Sequence, residues 1–172
     1  NTERAVNENI LGDNFISDGS SLHEWIYGTV RVLVGINPSE NTTMENVERT
    51  DEIRFFEDMI NQLGVPAKQH AKATYDAFVR LPIEFPMVED GHRPVNERFR
   101  SLADEMIQAE VDKLGIPTLV AGGTIPERLE KITKHYNLPI VMSIDEAIRA
   151  AQVDYDEIDT RTELEREQAD VY

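Results

Sequence analysis

Thr118-Leu119-Val120-Ala121-Gly122-Gly123-Thr124 is the stretch on which the fold turns. A short apolar run of strand length ends in two glycines, and Pro126 then sits where the first turn of a helix accepts it. Upstream, residues 99–114 carry apolar side chains at helical spacing and stop at Gly115. Before them Tyr75-Asp76-Ala77-Phe78-Val79-Arg80-Leu81 reads as a strand closed by Pro82. Strand, helix, strand in that order implies a right-handed crossover and a parallel pair.

The same alternation extends outward. Residues 3–11 read as a helix stopped by Gly12, Asn14-Phe15-Ile16-Ser17 as a short strand, and residues 22–34 as a helix with a wide apolar face, which Ser20 and Ser21 can cap. A long helix over residues 44–63 stops at Gly64, and residues 66–73 allow a further short helix. After the helix that begins near Pro126, residues 139–142 read as another strand, and Ser143 caps a last helix over residues 146–152. The expected fold is therefore α/β, a three-layer, mainly parallel sheet with helices on both faces. It occupies residues 1–155, with 156–172 an acidic helix or tail.

The chain has 172 residues and 40% hydrophobic content, enough for one domain with a core. Its 33 acidic against 17 basic side chains give a formal charge of −16, which disfavours broad attraction to nucleic acid or anionic lipid, so an anionic ligand needs a local basic pocket. With no cysteine there is neither disulfide nor thiolate metal site. No apolar run has membrane-spanning length and no signal peptide is evident, so the expectation is cytoplasmic, with no membrane and no nucleic-acid partner. The chain opens at Asn1 in what reads as mid-helix, so it is expected to be a fragment.

Three groups of residues carry chemistry. Asp18, after the expected strand at 14–17, is placed to associate with Mg²⁺ or to take a proton from a substrate hydroxyl; its plainer role is a capping aspartate in a tight turn. Arg93, Arg98 and Arg100 cluster around Asp90-Gly91-His92-Arg93, and guanidinium forks suit phosphoryl oxygens; their plainer role is pairing with Glu97, Asp104 and Glu105 on a solvated helix start. Gly122, Gly123 and Thr124 form a strand-to-helix turn whose amides can approach a phosphate; the plainer reading is a loop that needs glycine's freedom. His23, His70, His92 and His135 lack metal-ligand spacing and read as surface or capping residues. Trp25 reads as core.

Taken together, Phe15-Ile16-Ser17-Asp18-Gly19-Ser20-Ser21 with its following helix resembles the strand-aspartate element of P-loop nucleoside and nucleotide kinases. Residues 75–82, Glu89-Asp90-Gly91-His92-Arg93 and Phe99-Arg100 resemble the later strand and arginine-bearing lid of the nicotinamide riboside kinase-like branch of the P-loop kinase and AAA ATPase superfamily. Gly19 stands where that family usually has arginine, and no Gly-x-x-x-x-Gly-Lys-Ser/Thr occurs, so the chain resembles a carboxyl-side portion without its phosphate loop. The resemblance implies ATP-dependent phosphoryl transfer to a small nucleoside- or nucleotide-like substrate with ATP and Mg²⁺. Asp18, Arg93 and Arg100 would be catalytic, Asp18 the metal ligand, and Arg98, Gly122, Gly123 and Thr124 would hold the nucleotide. Two other outcomes stay open: a degenerate nucleotide-binding or interaction module, and a partner-coupled ATPase. A chain of this kind is expected to self-associate or to be completed by a missing amino-terminal segment.

Overall fold

The computed structural model describes residues 2–12, 14–35, 49–87 and 96–158. In chain order the elements are α1 (Thr2–Leu11), α2 (Ser21–Val34), α3 (Asp51–Thr74), β1 (Phe78–Arg80), α4 (Glu97–Leu114), β2 (Thr118–Val120), α5 (Ile125–His135) and α6 (Ile144–Asp156). The chain divides into two compact units, the first holding α1 to α3 and α4, the second β2, α5, α6 and the chain from Val79 to Pro86.

In the first unit α2 packs against both α3 and α4. Leu22, Ile26 and Val30 recur every fourth residue and are wholly buried, with Trp25 and Val34 beside them. Ile60, Ala67 and Ala71 come from α3, and Phe99, Ala103 and Val111 from α4. Each large apolar side chain so buried contributes about 1.5–3 kcal/mol. Asn96 caps α4 by accepting the Phe99 amide at 2.8 Å, and Gly115 ends it in the left-handed region at φ 70°.

The expected break at Gly64 is absent, and α3 runs for 24 residues through both Gly64 and Pro66. Gly64 lies against the indole of Trp25, where a Cβ would stand 2.7 Å from ring atoms Cε2 and Nε1. Glycine at this position makes room for a helix crossing. Pro66 removes one helical hydrogen bond, and the turns beyond it are retained by the burial of Ala67 and Ala71 and by Ser21 Oγ donating to the Ala67 carbonyl at 3.1 Å.

The expected three-layer sheet is overturned. Among the described residues there are six helices and one two-stranded sheet of β1 and β2. The Phe78 amide donates to the Pro117 carbonyl at 2.8 Å and the Ala121 amide to the Arg80 carbonyl at 2.9 Å, so both strands advance in the same direction. The other two expected strands do not form. Residues 14–17 are a loop whose serine hydroxyl is committed to α1, and residues 139–142 are irregular, with Ile140 72% and Val141 86% exposed. A strand forms only where a neighbour accepts its backbone groups, and neither segment has one among the described residues.

The second unit is built differently. Capping boxes start both of its helices, Thr124 with Glu127 in α5 and Ser143 with Glu146 in α6, and the two helices pack on each other. Neither helix has a buried residue.

Candidate functional site

Two polar constellations stand out, one in each unit. In the second unit the chain leaving β2 turns at Gly122 and Gly123 into the amino terminus of α5. Glu84 Oε1 accepts the Gly123 amide at 2.9 Å, and its other oxygen pairs with the Arg128 guanidinium. Arg128 Nε also donates to the Gly123 carbonyl at 2.7 Å, so one arginine holds the turn and its carboxylate together. Glu127 accepts from both the amide and the hydroxyl of Thr124, each at 2.7 Å.

The glycines follow from this crowding. A Cβ at position 122 would stand 2.6 Å from Glu84 Oε1, and one at 123 would stand 2.7 Å from Glu127 Oε2, where φ is also +94°. The Gly123 amide, then Arg128, hold the Glu84 carboxyl below the usual range against the opposing pull of desolvation. Hydrogen bonds from the Thr124 hydroxyl and amide do the same for Glu127. The turn is thus an anion seat occupied by the chain's own carboxylates.

In the first unit the centre is Glu8, buried to 4% exposure. Its oxygens accept from Ser17 Oγ at 2.6 Å and from the Tyr75 hydroxyl at 2.9 and 3.1 Å. Arg4 Nη1 lies 3.8 Å away, and the same side chain donates to Glu24 at 2.9 Å, Ser17 Oγ at 2.8 Å and the Asp18 carbonyl at 3.0 Å. His70 Nε2 stands 3.5 Å from Glu8 Oε2 without hydrogen-bond alignment, while its Nδ1 is 3.2 Å from Ser21 Oγ. Desolvation, reinforced by Glu8, pushes the Tyr75 hydroxyl up to about 12. Beside the cluster a groove of about 390 Å³ is lined by Arg4, Asn7, Glu8, Ser17 and Glu24, among others.

The residues singled out from sequence fall as follows. Asp18 is exposed in the α1–α2 loop and precedes Gly19, at φ 78°. It does not cap α2, whose N-cap position is Ser20, and Ser20 Oγ instead pairs with His23 Nδ1 at 2.7 Å. Arg98 and Arg100 lie in the first turn of α4, where Arg100 approaches Glu97 at 3.7 Å. Arg93 lies outside the described residues. Asp18, Arg98 and Arg100 belong to the first unit, and Gly122, Gly123 and Thr124 to the second.

His23 and His70 are half-buried. His23 stacks on Phe78 with the rings 14° from parallel, and burial, then Arg4, push its pKa down. Trp25 is in the core, as expected, with Lys68 Nζ 4.6 Å from its ring centroid. Glu8, Tyr75, Glu84 and Arg128 were not legible as site residues. Glu8 and Tyr75 are 67 positions apart and Glu84 and Gly123 are 39 apart, so no short spacing joins them.

Among the described residues no group of three or more histidine or acidic side chains could hold a metal, and no helix is long and apolar enough to cross a membrane. Compared with protein-family models, curated proteins and solved structures, the chain matches none.

Proposed function

We propose that the Gly122-Gly123-Thr124 turn receives the phosphates of a nucleotide, and that the activity it serves is ATP-dependent phosphoryl transfer to a small nucleoside- or nucleotide-like hydroxyl. The observation that carries this reading is the Glu84 carboxylate seated on the Gly123 amide with Arg128 on its other oxygen. An amide at a helix amino terminus and an adjacent guanidinium are what a phosphoryl oxygen requires. Incoming phosphate would displace Glu84 and take its two donors. Mg²⁺ is held by one or two carboxylates together with substrate phosphates, and no group of three or more histidine or acidic side chains gathers among the described residues. In this reading the metal enters with the nucleotide, as part of the substrate.

Titration calorimetry with Mg²⁺-ATP and with inorganic phosphate tests this. Glu84→Gln, which removes the competing charge, should tighten binding about tenfold, equivalent to about 1.4 kcal/mol. Gly123→Val should abolish it, because the added Cβ meets Glu127 in a backbone conformation closed to valine. No heat with either ligand, in the parent and in Glu84→Gln alike, would dispose of the reading.

A second reading, an interaction module completed by another polypeptide segment, is favoured by one specific observation. Ile140, Val141 and Met142 are consecutive and exposed, and the sheet among the described residues has only two strands. An extended segment pairing there would cover them. Replacing Ile140 and Val141 by threonine should then abolish association without altering phosphate binding, and unchanged association would count against this alternative.

A further inference from the structure

The helix α1 is inside out. Along it Val6, Ile10 and Leu11 are 51%, 77% and 62% exposed, and the one buried residue among its described side chains is Glu8. A helix docked by hydrophobic burial presents the opposite pattern. What joins α1 to the rest of its unit is polar: Arg4 to Glu24, Ser17 and the Asp18 carbonyl, and Glu8 to Ser17 and Tyr75. The core of α2, α3 and α4 includes no residue of α1. At its carboxyl end the helix gives way at Gly12, with φ 77° and open space around it.

We propose that α1 is a detachable strap, clasped onto the first unit by the Glu8 carboxylate, which opens as a unit while the α2–α3–α4 core stays folded. The energetics favour local opening. Undocking α1 exposes little apolar surface, so the hydrophobic cost that normally couples a helix to global unfolding is small. Against it stand the hydrogen bonds onto Glu8 and those of Arg4, whose pair with Glu24 is only part-buried, with the two side chains 28% and 36% exposed, and so is partly screened by solvent. The buried part of the clasp is Glu8 with its Ser17 and Tyr75 donors. Opening frees the Tyr75 hydroxyl and His70 Nε2, which face Glu8 at 2.9 and 3.5 Å when the strap is shut.

Hydrogen exchange read by mass spectrometry, segment by segment, tests the strap. Glu8→Ala removes every acceptor of the clasp while raising the intrinsic helix propensity of α1, so any loss of protection there reports undocking. Amides of residues 2–11 should exchange about 10–100-fold faster, the range expected when buried donors lose their acceptor. Amides of α3 and α4 should change by less than about threefold. Leu22→Ala, which opens a cavity in the core, should instead accelerate α2, α3 and α4 together. Acceleration of α3 and α4 along with α1 in Glu8→Ala would make Glu8 a post of the core and end the proposal. So would unprotected amides over residues 2–11 in the parent, since α1 would then not be clasped at all.

Discussion

Substituting Gly64 by alanine ought to stabilise a helix interior, and here it should do the reverse. Alanine gains about 0.8–1.0 kcal/mol over glycine in a helix. At position 64, however, the new methyl would lie 2.7 Å from Cε2 and Nε1 of Trp25 and 3.0 Å from Cζ2, all in a rigid ring that is buried in the core. The contact cannot be relieved by one bond rotation, so α2 and α3 must part, and overpacking of this sort costs about 1–3 kcal/mol. The net expectation is a loss of about 1 kcal/mol. Gly28 in α2 provides the comparison. There the methyl would meet Ile60 Cδ1 at 2.6 Å, the far end of a side chain that can turn away for about 0.5–1.5 kcal/mol. Gly28→Ala should therefore be neutral within a few tenths of a kcal/mol. Urea unfolding followed by circular dichroism measures both, with an unchanged slope as the sign that only stability moved. In a Trp25→Leu background the penalty at 64 should vanish and the alanine gain reappear, a coupling of about 2 kcal/mol. A Gly64→Ala protein as stable as Gly28→Ala would refute the argument that glycine is there for the indole.

Two pH dependences follow from the half-buried groups Tyr75 and His23. The Tyr75 hydroxyl is raised from 10 to about 12 in the folded chain, first by desolvation, so its contribution is complete below pH 10 and is lost as pH climbs from 10 to 12. The stability difference between the parent and Tyr75→Phe should be flat from pH 8 to 10 and shrink above, and a flat difference up to pH 12 would contradict the desolvation of the hydroxyl beside Glu8. His23 is depressed below 6.5, so its neutral form is the folded one and its contribution is present above pH 6.5 and lost as pH falls through the folded value. His23→Gln should flatten the decline in stability below pH 6.5, measured by urea midpoints, and an identical slope in both proteins would remove His23 from the buried set.

The elements readable from sequence were those whose signals are local. Gly115 as a left-handed stop, Pro126 in a first turn and Ser143 as a cap each act within four residues of themselves, and α4, α5 and α6 stand within a few positions of where those residues place them. Gly64 and Pro66 looked like the same punctuation and were not. The meaning of Gly64 lies in Trp25, 39 positions earlier, which no local rule contains. The sheet failed for a related reason. Residues 14–17 and 139–142 have the apolar content of strands, yet strand formation depends on a neighbour, and the alternation of elements cannot tell whether one is present. The glycine pair at 122–123 was visible as a turn. That its amide would be filled by Glu84 was not, since the pairing spans a strand and a helix.

The second unit shows what such local signals achieve in helices that bury no side chain. Its helices have 11 and 13 residues, lengths at which an isolated helix is marginal in water. Each nevertheless begins with a complete capping box, worth about 0.5–2 kcal/mol at the cap residue alone. Neither buries a side chain, and Ile125, Ile140, Val141 and Val153 remain exposed. Sequence that specifies both helix starts so fully, and leaves apolar residues uncovered between them, is consistent with an element held ready in shape and stabilised by what it binds. If binding of phosphate at the Gly123 turn supplies that stability, the amides of α5 should gain exchange protection on adding Mg²⁺-ATP while those of α6 change less, because only α5 begins at the turn. Equal gains in both helices would point instead to a partner covering the apolar side chains, and no gain in either would leave the Gly123 seat to Glu84 alone.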